Sequence, residues 1–167
     1  DIIKVNIEYF KEVHRLAIAL GIDIIHLADD YAYKTGPLVS PDVWKEFILP
    51  GFSEVVEAIK SQGAFCFKHT DGNIWSILDE IVDTGIDALG PLEPEADMDL
   101  LKVREKIPDS ITLYGNISVD LLSRGTKDEV HEAVQHVLDT IAPKGKFILS
   151  SGNSITSTVL PENLLEM

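Results

Sequence analysis

The sequence predicts an α/β fold of about five parallel strands, each followed by a helix. Three observations lead there. Short apolar runs of strand length alternate five times with amphipathic segments of helix length along the 167 residues. No hairpin signal joins one run to the next, so strands separated by helices pair parallel through right-handed crossovers. The glycine-rich phosphate loop of nucleotide-binding open sheets is missing. Two architectures satisfy this pattern. Five strands complete a small doubly wound sheet, or they form part of a (β/α)8 barrel, which needs ~250 residues when whole.

The elements follow in order. Ile7, Phe10, Val13, Leu16, Ala17 and Leu20 recur at spacings of three and four, which predicts a helix over residues 6–20 with Asn6 as N-cap and Gly21 as its stop. Residues 22–28 form an apolar run read as a strand buried on both faces. Thr35-Gly36-Pro37 reads as loop. Ser40-Pro41-Asp42 opens a helix with a capping hydroxyl, a proline in the first turn and an acid beside the dipole. That helix breaks at Pro50-Gly51 and resumes to Gly63. Strands are then expected at residues 64–69, 86–89, 111–115 and 146–150, and helices at 74–84, 97–106 and 127–141. A last helix begins at Pro161.

Composition narrows the function. The chain carries 14 Lys and Arg against 28 Asp and Glu, a net charge of −14, and 45% hydrophobic residues. There is apolar material for a core, and the acidity disfavours nucleic acid or an anionic membrane as partner, since both need clustered basic residues. No apolar run is long enough to span a membrane and no signal segment opens the chain. The single cysteine, Cys66, excludes an internal disulfide framework and fits a reducing compartment, so a cytoplasmic location is expected.

In either architecture, function gathers where the strands end. Those ends carry Asp29, Asp30, Tyr31 and Lys34; His69, Thr70, Asp71 and Asn73; Glu93 and Glu95; Tyr114, Asn116 and Ser118; and Ser150, Ser151, Asn153 and Ser154. The opposite ends hold plain turns. His69 beside Asp71 has the makings of a base oriented by a carboxylate, or of a His-x-Asp metal pair. Adjacent strand residues alternate faces, so of Asp29 and Asp30 one looks inward, and Asp30 is the favoured one. His26 reads as a core histidine, Cys66 as buried and inert, and Trp44 and Trp75 as packing under loops.

The loops together resemble the uroporphyrinogen decarboxylase superfamily. The resemblance rests on Asp29-Asp30, the run Thr35-Gly36-Pro37-Leu38-Val39-Ser40-Pro41, His69-Thr70-Asp71-Gly72-Asn73, Gly90-Pro91-Leu92-Glu93-Pro94, Gly115-Asn116-Ile117-Ser118 and Ser150-Ser151-Gly152-Asn153-Ser154. It extends in order over nearly the whole chain. It implies a partial (β/α)8 TIM barrel: residues 1–167 would be the C-terminal half of a barrel roughly twice this length, with no second domain. The opening at Asp1 without Met fits that expectation.

The family contains the decarboxylase of haem biosynthesis and the cobamide-dependent methyltransferases. The decarboxylase works without cofactor, and its central aspartate, arginines and tyrosine belong to the N-terminal half. Its strand-end serine falls at Asp30 and its late histidine at Asn153. The methyltransferases hold zinc through a His-x-Cys pair and a later Cys. His69 matches the histidine, Asp71 stands at the first cysteine, and residues 151–153 contain none. Oxygen ligands at those positions favour a harder metal, or none.

The resemblance therefore implies a carboxy-lyase-like enzyme of porphyrin metabolism, its substrate a small molecule left open. His69, Asp30 and Asp71 would be catalytic, and Asn116, Asn153, Tyr31 and Glu93 would bind substrate. His69 and Asp71 would be the ligands of any metal. One alternative is a corrinoid-linked methyltransferase-like protein with a divalent metal at a His/Asp site. Another is a non-catalytic oligomerising binding module. The isolated half is expected to be inactive and to pair with the missing N-terminal strands or with itself, since a half-barrel leaves open edges.

Overall fold

The computed structural model describes residues 2–167. Helix α1 spans Ile2–Ala19, so Asn6 lies inside it rather than capping it. Strand β1, Ile24–Leu27, follows. Strands β2 (Ala32–Tyr33) and β3 (Gly36–Pro37) then form a small antiparallel hairpin where loop was expected. Two-residue strands around a tight turn leave no periodic apolar signal to read.

Helix α2 (Pro41–Phe47) starts as the sequence implies: the Ser40 hydroxyl accepts from the Val43 amide, and Pro41 sits in the first turn. Helix α3 (Leu49–Lys60) begins anew after Ile48, with Pro50 in its own first turn. A proline there removes no intrahelical hydrogen bond. Strand β4 is Phe65–Thr70, α4 is Leu78–Asp83 and β5 is Ala88–Pro91. Asp99 caps α5 (Leu100–Lys106) by accepting from the Lys102 amide. Strand β6 is Thr112–Ile117. Helix α6 (Val119–Arg124), a turn and a half capped by Ser118, lies where the sequence predicts loop. Helix α7 (Lys127–Thr140) opens with a capping box between Thr126 and Glu129. Strand β7 (Phe147–Ser151) and α8 (Pro161–Glu166) end the chain.

The five main strands line up as β1-β4-β5-β6-β7, all parallel and in chain order. That order decides between the two architectures. A doubly wound sheet reverses direction at a switch point, where its ligand binds. This sheet never reverses, so it is an arc of a singly wound barrel.

The register fixes which side chains share a face. Ile25, Leu27, Cys66, Leu89, Leu113 and Ile117 point toward the helices and are buried against Val56, Ile59, Leu78, Ile81, Val103 and Val130. Each such aliphatic side chain contributes about 1.5–3 kcal/mol on leaving water. The other face carries Ile24, His26, Phe65, Phe67, His69, Ala88, Gly90, Tyr114 and Ile148. This is the face a barrel turns inward. It is partly open, so β1 alternates exposed and buried residues instead of being buried on both faces as the apolar run suggested. Among the described residues, no helix is long and apolar enough to cross a membrane.

Candidate active site

Three backbone devices assemble the rim. The Tyr31 amide donates to the Thr70 hydroxyl at 2.9 Å, and the Asp71 amide donates to Asp30 Oδ1 at 3.0 Å. These bonds tie the end of β1 to the end of β4. The hairpin then settles on the loop after β4, where the Asn73 amide donates to the Tyr33 carbonyl. Gly72 makes that approach possible. It has φ +80, and a Cβ on it would stand 2.5 Å from the Ala32 carbonyl oxygen.

The result is a compact cluster. Ligand atoms of Asp30, His69 and Asp71 all lie within 4.8 Å of one another. His69 Nε2 is 3.6 Å from Asp30 Oδ1 and 3.4 Å from Asp71 Oδ1. Asp71 Oδ1 is buried with no hydrogen-bond partner, so its full acceptor capacity faces the histidine. Burial pushes the Asp71 carboxyl above its ordinary value; His69 opposes that, Asp30 and Glu93 add to it, and the Asn153 side chain opposes it. The neighbouring Asp29 takes a different direction, with its carbonyl accepting from the Lys68 ammonium at 2.6 Å.

The structure places the other sequence-derived candidates variously. Glu93 is buried under the rim, where Oε2 accepts from the Gly72 amide at 3.3 Å and Oε1 is 3.7 Å from Lys34 Nζ. Asn153 lines a cavity of about 340 Å³ together with His69, His26, Tyr114 and Ser150. Asn116 stands at the end of β6, but its amide donates to the carbonyls of Leu92 and Met98, bracing the loop after β5. Tyr31 is buried in the core, edge-on to Trp44 and Phe52.

Two features depart from the sequence expectation, and the first corrects the reading of His26 as a core histidine. His26 is exposed on the inward face, its ring 5.7 Å from that of His69 and its Nε2 2.9 Å from the Tyr114 hydroxyl. The signal was its parity, for His26 alternates with Ile25 and Leu27 and therefore shares a face with His69. Lys68 is the other. It is fully buried on the helix side, 3.9 Å above the Tyr31 ring, and burial pulls its ammonium down to about 8. The signal was again parity, for Lys68 alternates with Phe67 and His69 and so takes the opposite face.

A ligand set of one imidazole nitrogen and two carboxylates fits a hard divalent cation rather than thiolate zinc. The one cysteine, Cys66, lies on the opposite face of the sheet, where burial pushes its thiol up to about 12. It cannot serve this rim as a thiolate.

An arc of parallel strands with a histidine and two carboxylates at its C-terminal rim defines a (β/α)8-type barrel protein with a polar mouth. The chain belongs to the uroporphyrinogen decarboxylase (URO-D) family, whose model matches residues 1–167. It is 31% identical over 158 residues to the uroporphyrinogen decarboxylase of Chlorobium phaeobacteroides, covering 89% of this chain and 41% of that protein. It is 26% identical over 171 residues to that of Paraburkholderia phytofirmans, covering 99% of this chain and 44% of that protein. A solved structure, a methyltransferase from Methanosarcina mazei, superposes with a TM-score of 0.79 at 24% identity, over 96% of this chain and 44% of that one. This last likeness speaks for the fold. The chain spans about two fifths of the length of the curated relatives it matches.

Proposed function

We propose that this chain supplies the proton-transfer rim of a carboxy-lyase barrel acting on a small molecule. The observation that carries the reading is the approach of His69 Nε2 to both carboxylates, 3.6 Å from Asp30 and 3.4 Å from Asp71, at the C-terminal end of β4. In the step assigned to it, the bond from substrate carbon to carboxylate breaks and carbon dioxide leaves. The electron pair stays on the substrate, and the protonated His69 imidazole delivers the proton that replaces the carboxylate. Asp30 and Asp71 orient the ring. A positioned acid of this kind contributes about 10²–10⁴ in rate. Asp30, Asp71 and Glu93 make this side of the mouth acidic, and Lys34 is already engaged by Glu93. A polycarboxylate substrate must therefore turn its carboxylates toward the strands that close the barrel. The test is carbon dioxide release from uroporphyrinogen III by the protein with its closing strands present. His69→Ala is expected to lower turnover at least about 100-fold. Unchanged turnover in that variant, or no release by the wild type, overturns the reading.

A second reading has its own observation. The partnerless buried Oδ1 of Asp71, beside His69 and Asp30, suits a hard divalent cation, as a methyl-transfer protein working with a corrinoid partner would need. Calorimetric titration with Mn²⁺ and Zn²⁺ tests it. Stoichiometric binding lost in Asp71→Asn supports this reading, and no binding by the wild type removes it.

A further inference from the structure

Tyr114 reaches across two intervening strands to touch His26. Strand order puts β4 and β5 between β6 and β1, and the inward residues of β5 are Ala88 and Gly90. Both are small. A Cβ on Gly90 would stand 2.3 Å from the Tyr114 carbonyl oxygen and 2.5 and 2.6 Å from Cδ2 and Cε2 of its ring, so the missing side chain admits both the backbone and the ring of Tyr114. The ring then stacks on Phe67 at 6.1 Å, and its hydroxyl arrives above β4.

That hydroxyl has one proton and two neighbours. The Lys68 carbonyl, 3.0 Å away, only accepts, so the Tyr114 proton goes there. Toward His26 the phenolic oxygen is left as an acceptor, and the 2.9 Å contact requires a hydrogen on His26 Nε2. Burial keeps the phenol protonated, with the Asp71 charge acting in the same sense. A neutral imidazole with hydrogen on Nε2 carries its lone pair on Nδ1. Among the described residues nothing hydrogen-bonds to Nδ1, and His26 lines the same cavity as His69 and Asn153.

We propose that His26, with its tautomer fixed by Tyr114, is a second functional residue of the rim, accepting through Nδ1 a hydrogen bond from an N–H or O–H donor of the ligand. The role rests on the carboxy-lyase reading for the identity of the ligand, but the tautomer does not. Tyr114 is a positioning residue, since it acts through the imidazole.

Long-range proton–nitrogen correlation spectra of histidine-labelled protein at pH 7 read the tautomer directly, with His26→Gln assigning the signal among the five histidines. The expected spectrum shows His26 neutral with hydrogen on Nε2. Tyr114→Phe is expected to release it to a tautomer mixture while the other four signals stay. Hydrogen on Nδ1, a charged ring, or a spectrum indifferent to Tyr114→Phe overturns the proposal. Because this readout needs no turnover, it fails separately from the His69 assay. For function, His26→Gln keeps an N–H for Tyr114 but offers the ligand no Nδ1. Carbon dioxide release from uroporphyrinogen III should then lose about 3- to 10-fold in kcat/KM, the worth of one hydrogen bond, at an unchanged melting midpoint. Unchanged kcat/KM in this folded variant overturns the ligand contact.

Discussion

Lys68 shows how one residue sets a pH dependence. Its side chain has 0% exposure, with the Asp29 carboxylate 3.9 Å away and 73% exposed. The ammonium is held by one short bond to the Asp29 carbonyl and by the faces of Tyr31 and Phe52. Burial outweighs these partners and pulls the group from 10.5 to about 8. The folded-state value lies below the unfolded one, so between about pH 8 and 10.5 the unfolded chain binds more protons, and stability rises with pH through that window. Below it the cost of charging the buried amine is complete, on the order of 3 kcal/mol. Comparing wild type with Lys68→Met cancels the other titrating groups. The melting midpoint of wild type relative to the variant is expected to climb between pH 8 and 10 by several degrees, at about 2–4 °C per kcal/mol for a chain of this size. A constant difference across pH 7–10 would mean that the amine is solvated.

Elements that bury a stripe were legible, and elements that bury little were not. Helix α7 announces itself through Val130, Val134 and Val137 and its capping box; β4 through β7 stand out as apolar runs between turn signals. Helix α6 hides because six residues offer one buried side chain, Leu122. The β2–β3 hairpin hides because its strands are two residues each. The same limit governs the site. Strand ends could be counted along the chain, and that counting brought out Asp30, His69 and Asp71. Whether a polar group faces the mouth or the backbone depends on loop paths. Asn116 spends its amide on Leu92 and Met98, and nothing in its local sequence distinguishes it from Asn153. His26 was legible only through its alternation with Ile25 and Leu27, a parity that the run's overall apolar character hides. Gly90 has no positive φ to signal it; its value lies in the close approach of the Tyr114 backbone and ring.

For the whole molecule, the open arc has an energetic consequence. Strands β1 and β7 end the sheet, each with one unpaired edge. On the inward face, Ile24, Phe65 and Ile148 are 47%, 55% and 46% exposed, and no side chain of α1 is buried although Tyr9, Phe10 and Leu16 are large. Free ladder groups beside an apolar face are a template for pairing. A polypeptide of these 167 residues made alone is therefore expected to self-associate. Light scattering should give at least a dimer at micromolar concentration, and the melting midpoint should rise with protein concentration, since association stabilises only the folded form. Adding the strands that close the cylinder should dissolve this association and cover the same surfaces. A scattering mass of one chain with a concentration-independent cooperative melt would show that the arc is stable with its inward face in water, and the barrel-closing role of these edges would fall with it.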